Sequence, residues 1–160
     1  MTTATTVDIC CPEFDPKPWD NQVVRWENKK FIKDHVCTIF HMPLNFGSVI
    51  RRMNRKVEIS GAGVQDALCL SEHVSGWRMN LYLAVDNLVP GASNLTLSGN
   101  YFTRVYEGPF KDMSRWIADF REVARTRDLP LDKIFFWYTT CPKCARKYGK
   151  NYVVLIGGMP

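Results

Sequence analysis

The sequence predicts an α+β fold of two duplicated β-α-β-β modules with pseudo-twofold symmetry and a ligand cleft between them. A repeated apolar stripe, a repeated cap and a repeated strand order carry that reading. Asn45 precedes apolar residues at Phe46, Val49, Ile50, Met53 and Val57, and Asp112 precedes Met113, Trp116, Ile117, Phe120 and Ala124, each pair 67 positions apart. Both stripes have helical spacing. Asn and Asp suit a helix N-cap, where a short side-chain oxygen accepts a hydrogen bond from an otherwise orphaned backbone N–H. The same offset pairs Val64 with Leu131, Leu68 with Phe135 and Leu70 with Trp137 in the segments beyond the helices.

Taken in order, residues 1–20 hold Pro12, Pro16 and Pro18 without periodicity, which predicts an irregular start to an N-terminal arm spanning 1–30, anchored by Phe14 and Trp19. A strand is expected over 36–41, a turn at Pro43, and a helix over 46–59 ended by Gly61 and Gly63. Strands over 67–73 and 79–85 follow, joined by a hairpin-like connection with Gly76 in its turn. Pro90-Gly91 centres a linker over 87–93. The second half repeats the order: strand 101–107, turn Gly108-Pro109, helix 113–125, strand 134–140, a loop through Cys141-Pro-Lys-Cys144, and strand 152–156. The halves are then 31–86 and 93–158 of one domain, 1–160.

Composition excludes several classes. With 160 residues, 46% hydrophobic and 12% aromatic, the chain has ample material for a core, and disorder is not expected. No apolar run approaches the roughly 20 residues of a membrane-spanning helix. The first nine residues lack the basic start of a signal peptide, so the expected location is cytoplasmic, with no membrane partner. Six cysteines, two of them adjacent at Cys10 and Cys11, fit reduced thiols better than a disulfide framework, and the Asn94-Leu95-Thr96 sequon is then a chance match. A net charge of +5 is moderate and the basic residues are spread between 51–56 and 143–150, so nucleic acid is not an expected partner.

A three-stranded sheet with one helix covers only one of its faces. If two such units join side by side, their uncovered faces line a concave groove, a natural site for a hydrophobic or aromatic small molecule. Strand ends and turns place His41, Cys69, Ser71, Glu72, His73, Trp77, Tyr82, Tyr106, Glu107, Trp137 and Tyr138 near it.

The run Val105-Tyr-Glu-Gly-Pro-Phe110, the helix that follows it and the duplicated half resemble the GyrI-like (gyrase-inhibitory-protein-like) family, also found as effector-binding domains of multidrug-responsive regulators. The likeness covers residues 31–158 in topology and, in sequence, the Gly108-Pro109-Phe110 turn before the second helix. It implies a duplicated fold whose cleft holds flat aromatic or cationic molecules near a buried acid. A branch without a DNA-binding domain opens cyclopropane rings of genotoxic natural products by adding water. The family's acid is not found on the strand over 152–158 here, so another carboxylate must serve.

Glu107 and Glu72 are the candidate carboxylates, with Tyr106 or Tyr82 as proton donor; in an aromatic cleft, desolvation is expected to raise the carboxylate pKa toward a range useful for activating water. The bland alternatives are a turn acid for Glu107 and a solvated edge position for Glu72. Glu72 and His73, as strand neighbours, should point to opposite faces, and so should Trp137 and Tyr138. Trp77, Trp137, Tyr138, His41 and His73 are the candidate ligand contacts; Trp77, Trp137 and Tyr138, like Tyr82 and Tyr106, are also readable as core or rim. Cys141 and Cys144 have the spacing of half a zinc site and of a redox pair, but no second ligand pair is visible, so a plain tight loop is the expected reading, without metal or other cofactor. The function expected is hydrolysis of an electrophilic, largely apolar or aromatic ligand by carboxylate-assisted water addition; the alternative is a binder that sequesters drug-like or metabolite ligands. A homodimer is compatible with either.

Overall fold

The computed structural model of the chain describes residues 13–40, 42–140 and 142–160. Among the described residues seven strands and three helices follow one another as β1 (Gln22–Ile39), β2 (Met42–Pro43), α1 (Phe46–Ser60), β3 (Val64–His73), β4 (Arg78–Val85), β5 (Ser93–Glu107), α2 (Met113–Thr126), β6 (Ile134–Tyr138), α3 (Pro142–Tyr148) and β7 (Tyr152–Gly158), with a 3-10 turn, Phe110–Asp112, leading into α2. All strand pairings are antiparallel, in the order β2-β1-β4-β3-β6-β7-β5, and β5 pairs back onto β1. The six long strands therefore close into a barrel with no free edge.

Alternation along the strands sorts the core into layers. Leu68, Leu70, Tyr82, Ala84, Tyr101, Phe135, Trp137, Val154 and Ile156 pack together in the interior. The intervening residues face outward: Ile32, Leu81 and Leu83 meet Val49, Met53 and Val57 of α1, while Phe102, Phe136, Val153 and Leu155 meet Trp116, Phe120 and Ala124 of α2. The groove expected between the halves thus has another form. Pairing of β1 with β5 and of β3 with β6 turns the uncovered faces onto each other, and their aromatics fill the space.

Both helices start where the stripes predict. The expected side-chain caps do not form. Asn45 Oδ1 accepts the Cys37 N–H at 3.0 Å, tying the helix start to the end of β1, and Asp112 pairs with Arg115 one turn on at 3.0 Å. Gly61 closes α1 in the left-handed conformation at φ 75°, as its position implies.

Four elements differ from expectation, the first being β2, which pairs with the end of β1 where a turn at Pro43 is expected. β1 begins at Gln22, inside the segment read as arm, because Val24, Trp26 and Phe31 face the interior along β5; a bulge between Trp26 and Lys29 hides the period. β5 likewise starts at Ser93, in the expected linker. The loop predicted after 140 carries α3: Pro142 suits the first helical position, Arg146 and Lys147 lie in the last turn, and Gly149 follows at φ 68°.

On the outer wall, Asp34 of β1 takes two hydrogen bonds from Arg52 of α1 at 2.8 and 2.9 Å. Burial pushes the Asp34 carboxyl pKa up, but the Arg52 hydrogen bonds, the His35 N–H and the nearby Arg52 and Lys56 charges outweigh it and hold it below the usual aspartate range. A depressed folded pKa stabilises above the unfolded value and loses that contribution as pH falls through the folded one. Asp34→Ala is expected to cost about 1 kcal/mol at neutral pH. Urea titrations should show the difference from the parent shrinking as pH falls below 4.

Candidate active site

Glu72 lies on the inward face of β3, directly across from Asn80 of β4, with Leu70 across from Tyr82. Two-residue alternation therefore brings Glu72, Asn80 and Tyr82 onto one surface. Tyr82 donates to Glu72 Oε1 at 2.9 Å, Asn80 Nδ2 donates to the same oxygen at 3.2 Å, and Lys133 Nζ stands 3.5 Å from Oε2. The Glu72 side chain is 15% exposed, desolvated yet reachable from water.

The local electrostatics correct one expectation. Burial does raise the Glu72 pKa, but the hydrogen bonds from Tyr82 and Asn80 and the charge of Lys133 prevail and leave it below the usual glutamate value. Tyr82 moves the other way: burial and its bond to the Glu72 carboxylate push its phenol up to about 12. At neutral pH the pair is one carboxylate and one neutral phenol. Lys33 Nζ lies 5.7 Å from the Tyr82 ring centroid and Arg78 Nε donates to Asn80 Oδ1 at 3.3 Å, so with Lys133 three cations surround one acid.

The other candidates lie apart from this pair. Tyr106 faces outward, stacked on Trp116 at 5.7 Å, and donates to Asp119 at 2.6 Å; burial and that carboxylate push its pKa well up. Glu107 is exposed at the end of β5, opposite Tyr152 in register. Trp137 is inside the barrel, and Tyr138 faces α2 with its ring 5.4 Å from Phe110, the split that alternation predicts. His73 is half-buried on the opposite face from Glu72, edge-on to Phe136 at 5.4 Å. Trp77 is 63% exposed in the turn before β4, against Phe40. His41 and Cys141 lie outside the described residues, and Cys144 is buried in α3. Among the described residues no group of three or more His, Cys, Asp or Glu side chains could hold a metal ion. No helix is long and apolar enough to cross a membrane.

Asn80, Lys33, Arg78 and Lys133 were missed by sequence reasoning. Asn80 had a signal, being the one polar residue in the apolar run 79–85 other than Tyr82. Lys133 had none: it stands in the coil before β6 and meets Glu72 only because β6 pairs with β3.

The molecule is a small mixed α/β barrel with a polar cluster set in an otherwise apolar inner wall. It belongs to a family described as bacterial hydrolase, whose model matches residues 1–159. No curated protein matches the chain.

Proposed function

We propose that this bacterial-hydrolase-family protein adds water to an electrophilic, largely apolar small molecule at the Glu72–Tyr82 pair. The observation that carries the reading is the 2.9 Å hydrogen bond between a carboxylate and a protonated phenol at the rim of an aromatic interior. Glu72 takes a proton from water as the hydroxyl adds to the electrophilic carbon, and Tyr82 gives its proton to the group that leaves that carbon. The proton on Glu72 then passes along their hydrogen bond to the Tyr82 phenolate, which resets both groups. Lys33 and Arg78 beside Tyr82 stabilise the transient phenolate. The surrounding cations favour neutral or anionic substrates over the cationic ligands implied by the GyrI-like resemblance.

The duplicated architecture is part of the same reading. The offset of 67 carries Leu70 onto Trp137, and those two residues face each other across the β3–β6 ladder, as a twofold axis between the halves requires. The strand-helix-strand-strand order within 31–86 and 93–158, apart from the short β2 and α3, supports kinship with the GyrI-like fold. Cys37 and Cys69 are free thiols, which fits a reducing cytoplasm.

The test is turnover of electrophiles, cyclopropane-bearing compounds included, by the parent, Tyr82→Phe and the Glu72→Gln/Tyr82→Phe pair. Tyr82→Phe is expected to lower kcat by about 100-fold, with the double variant little worse because the two groups act as a unit. Unchanged turnover in Tyr82→Phe would remove the phenol from the mechanism. Binding without turnover by the parent would make the protein a sequestering binder.

A further inference from the structure

Asn80 is 6% exposed in the middle of the wall, on a strand that is otherwise apolar around it. Asparagine is disfavoured in strands, and an amide out of water is costly unless its donors and its acceptor are matched. Its neighbours Met79 and Leu81 face outward into the cluster under α1, whereas the two-residue period puts Arg78, Asn80 and Tyr82 on the inward face. Asn80 stands opposite Glu72 in the β3–β4 ladder and opposite His35 in the β1–β4 ladder. The amide therefore sits in the middle of a polar row that crosses three neighbouring strands.

The charges on its two sides leave that amide one orientation. Arg78 Nε, which can only donate, lies 3.3 Å from Asn80 Oδ1, and the ionised Glu72 carboxylate, which can only accept, has its Oε1 3.2 Å from Asn80 Nδ2. Turning the amide over would set its NH₂ against a guanidinium and its oxygen against a carboxylate, replacing two charge-assisted hydrogen bonds by two repulsions. Glu72 Oε1 also accepts from Tyr82 at 2.9 Å, while Lys133 Nζ lies 3.5 Å from Oε2. Two donors on one oxygen fix the rotation of the carboxylate. The same row bears on the phenol: burial and the Glu72 bond push Tyr82 up to about 12, and Asn80 and Arg78 pull against that rise.

We propose that Asn80, oriented by Arg78, is the positioning residue of this site and holds the Glu72 carboxylate in the orientation that takes a proton from water. The proposal rests on the hydrolase reading of the Glu72–Tyr82 pair. A glutamate side chain has several rotatable bonds, and without an anchor its carboxylate at the barrel rim would spend much of its time turned away from the reacting water. Asn80 acts through Glu72 in a second way. Burial raises the Glu72 carboxyl, the bonds from Tyr82 and Asn80 and the Lys133 charge bring it below the ordinary glutamate value, and loss of the Asn80 bond should let it rise again. The titratable and charged groups around Glu72 are Tyr82 and Arg78 of β4 and Lys133 of the coil before β6, with Lys33 and His35 of β1 one strand further, opposite Tyr82 and Asn80.

Asn80→Leu, which replaces the amide by an apolar side chain of similar reach, tests this with two readouts. In the full chain, isotope-labelled at its glutamate carboxyl carbons, the NMR signal missing from Glu72→Gln reports the titration of Glu72. Its midpoint should rise by about one pH unit in Asn80→Leu, the loss of one hydrogen bond to a charged group. In turnover, kcat at neutral pH should fall about 10-fold with KM little changed, and the acid limb should move up with the NMR midpoint. Asn80→Ser, smaller and still polar, covers the case in which Asn80→Leu fails to fold; its midpoint should rise by less, since water can enter the space left. Arg78→Met, on an exposed side chain, should raise the midpoint in the parent and much less in the Asn80→Leu background, because its effect runs through the amide. A merely structural asparagine would lower the melting temperature and leave the midpoint where it stands in the parent. An unmoved midpoint in both Asn80 variants overturns the inference, whatever happens to their stability. Shifted midpoints in a chain whose parent turns over no electrophile would instead remove the hydrolase reading and leave Asn80 as the anchor of the Glu72 carboxylate.

Discussion

Phe120→Ala is expected to destabilise the protein by about 3–5 kcal/mol, the cost of removing a fully buried aromatic and leaving a cavity behind. Phe120 is 0% exposed and stacks on Phe102 of β5 with ring centroids 5.1 Å apart and planes 15° from parallel. It also fills the space that Gly157 leaves on β7: a Cβ there would stand 3.1 and 3.2 Å from the ring and 2.6 Å from Leu131 Cδ2. Helix α2 is thus held to two strands through one side chain, and little else can collapse into the gap. Denaturant unfolding should show the midpoint falling with the slope unchanged. In the same assay Gly157→Ala, destabilising in the parent, should cost less in the Phe120→Ala background, because the two substitutions act on one volume. Full additivity would mean that Leu131 alone restricts the site.

That contact was half legible in the sequence. The helical spacing of Trp116, Phe120 and Ala124 identifies the buried face, and those three are the buried residues of α2. Nothing in the sequence says that the partner surface is the outside of a closed barrel. Closure depends on β1 and β5 being 18 and 15 residues long; the first half of β1 reads as arm, and in β5 a strand is expected only from 101 on. Asn28 at φ 50° and the register shift beside it interrupt the alternation by which a strand is recognised. Local pattern fixes which face of each element is apolar; the sheet edges that meet are chosen by register over distances no local pattern records.

The same division holds at the candidate site. Glu72 and Tyr82 could both be singled out as polar groups on apolar strands, and alternation placed Glu72 away from His73. Their contact depends on the antiparallel register that sets Leu70 against Tyr82, which follows from the short β3–β4 turn. The pKa direction was not legible. Desolvation alone predicts a raised glutamate, and the opposite result comes from the hydrogen bonds of Tyr82 and Asn80 on the neighbouring strand and from Lys133, brought by another strand's approach. Tyr106 and Glu107, adjacent in sequence, went to the helix side and to an exposed rim.

Glu72→Gln carries the largest expected effect on activity: a fall in kcat of about 100-fold or more, equivalent to about 2.7 kcal/mol, with ligand affinity little changed. The amide keeps the size of the carboxylate and can still accept from Tyr82 and Asn80, so the loss isolates basicity from shape. The pH profile distinguishes this from a structural defect. With Glu72 held below the usual glutamate value and Tyr82 pushed up to about 12, the parent should show a broad plateau, its acid limb setting in only below about 4.5 and its alkaline limb delayed toward 12. The sign follows from the protonation states required: activity needs Glu72 ionised, which fails as pH drops through its depressed pKa, and Tyr82 protonated, which fails only as pH rises through its raised one. In Glu72→Gln the acid limb of the residual activity should vanish, since no group that must be ionised remains, and Tyr82, relieved of the neighbouring anion, should titrate at lower pH. A residual activity that keeps the parental acid limb would place the titrating carboxylate elsewhere and leave Glu72 a structural acceptor for Tyr82 and Asn80.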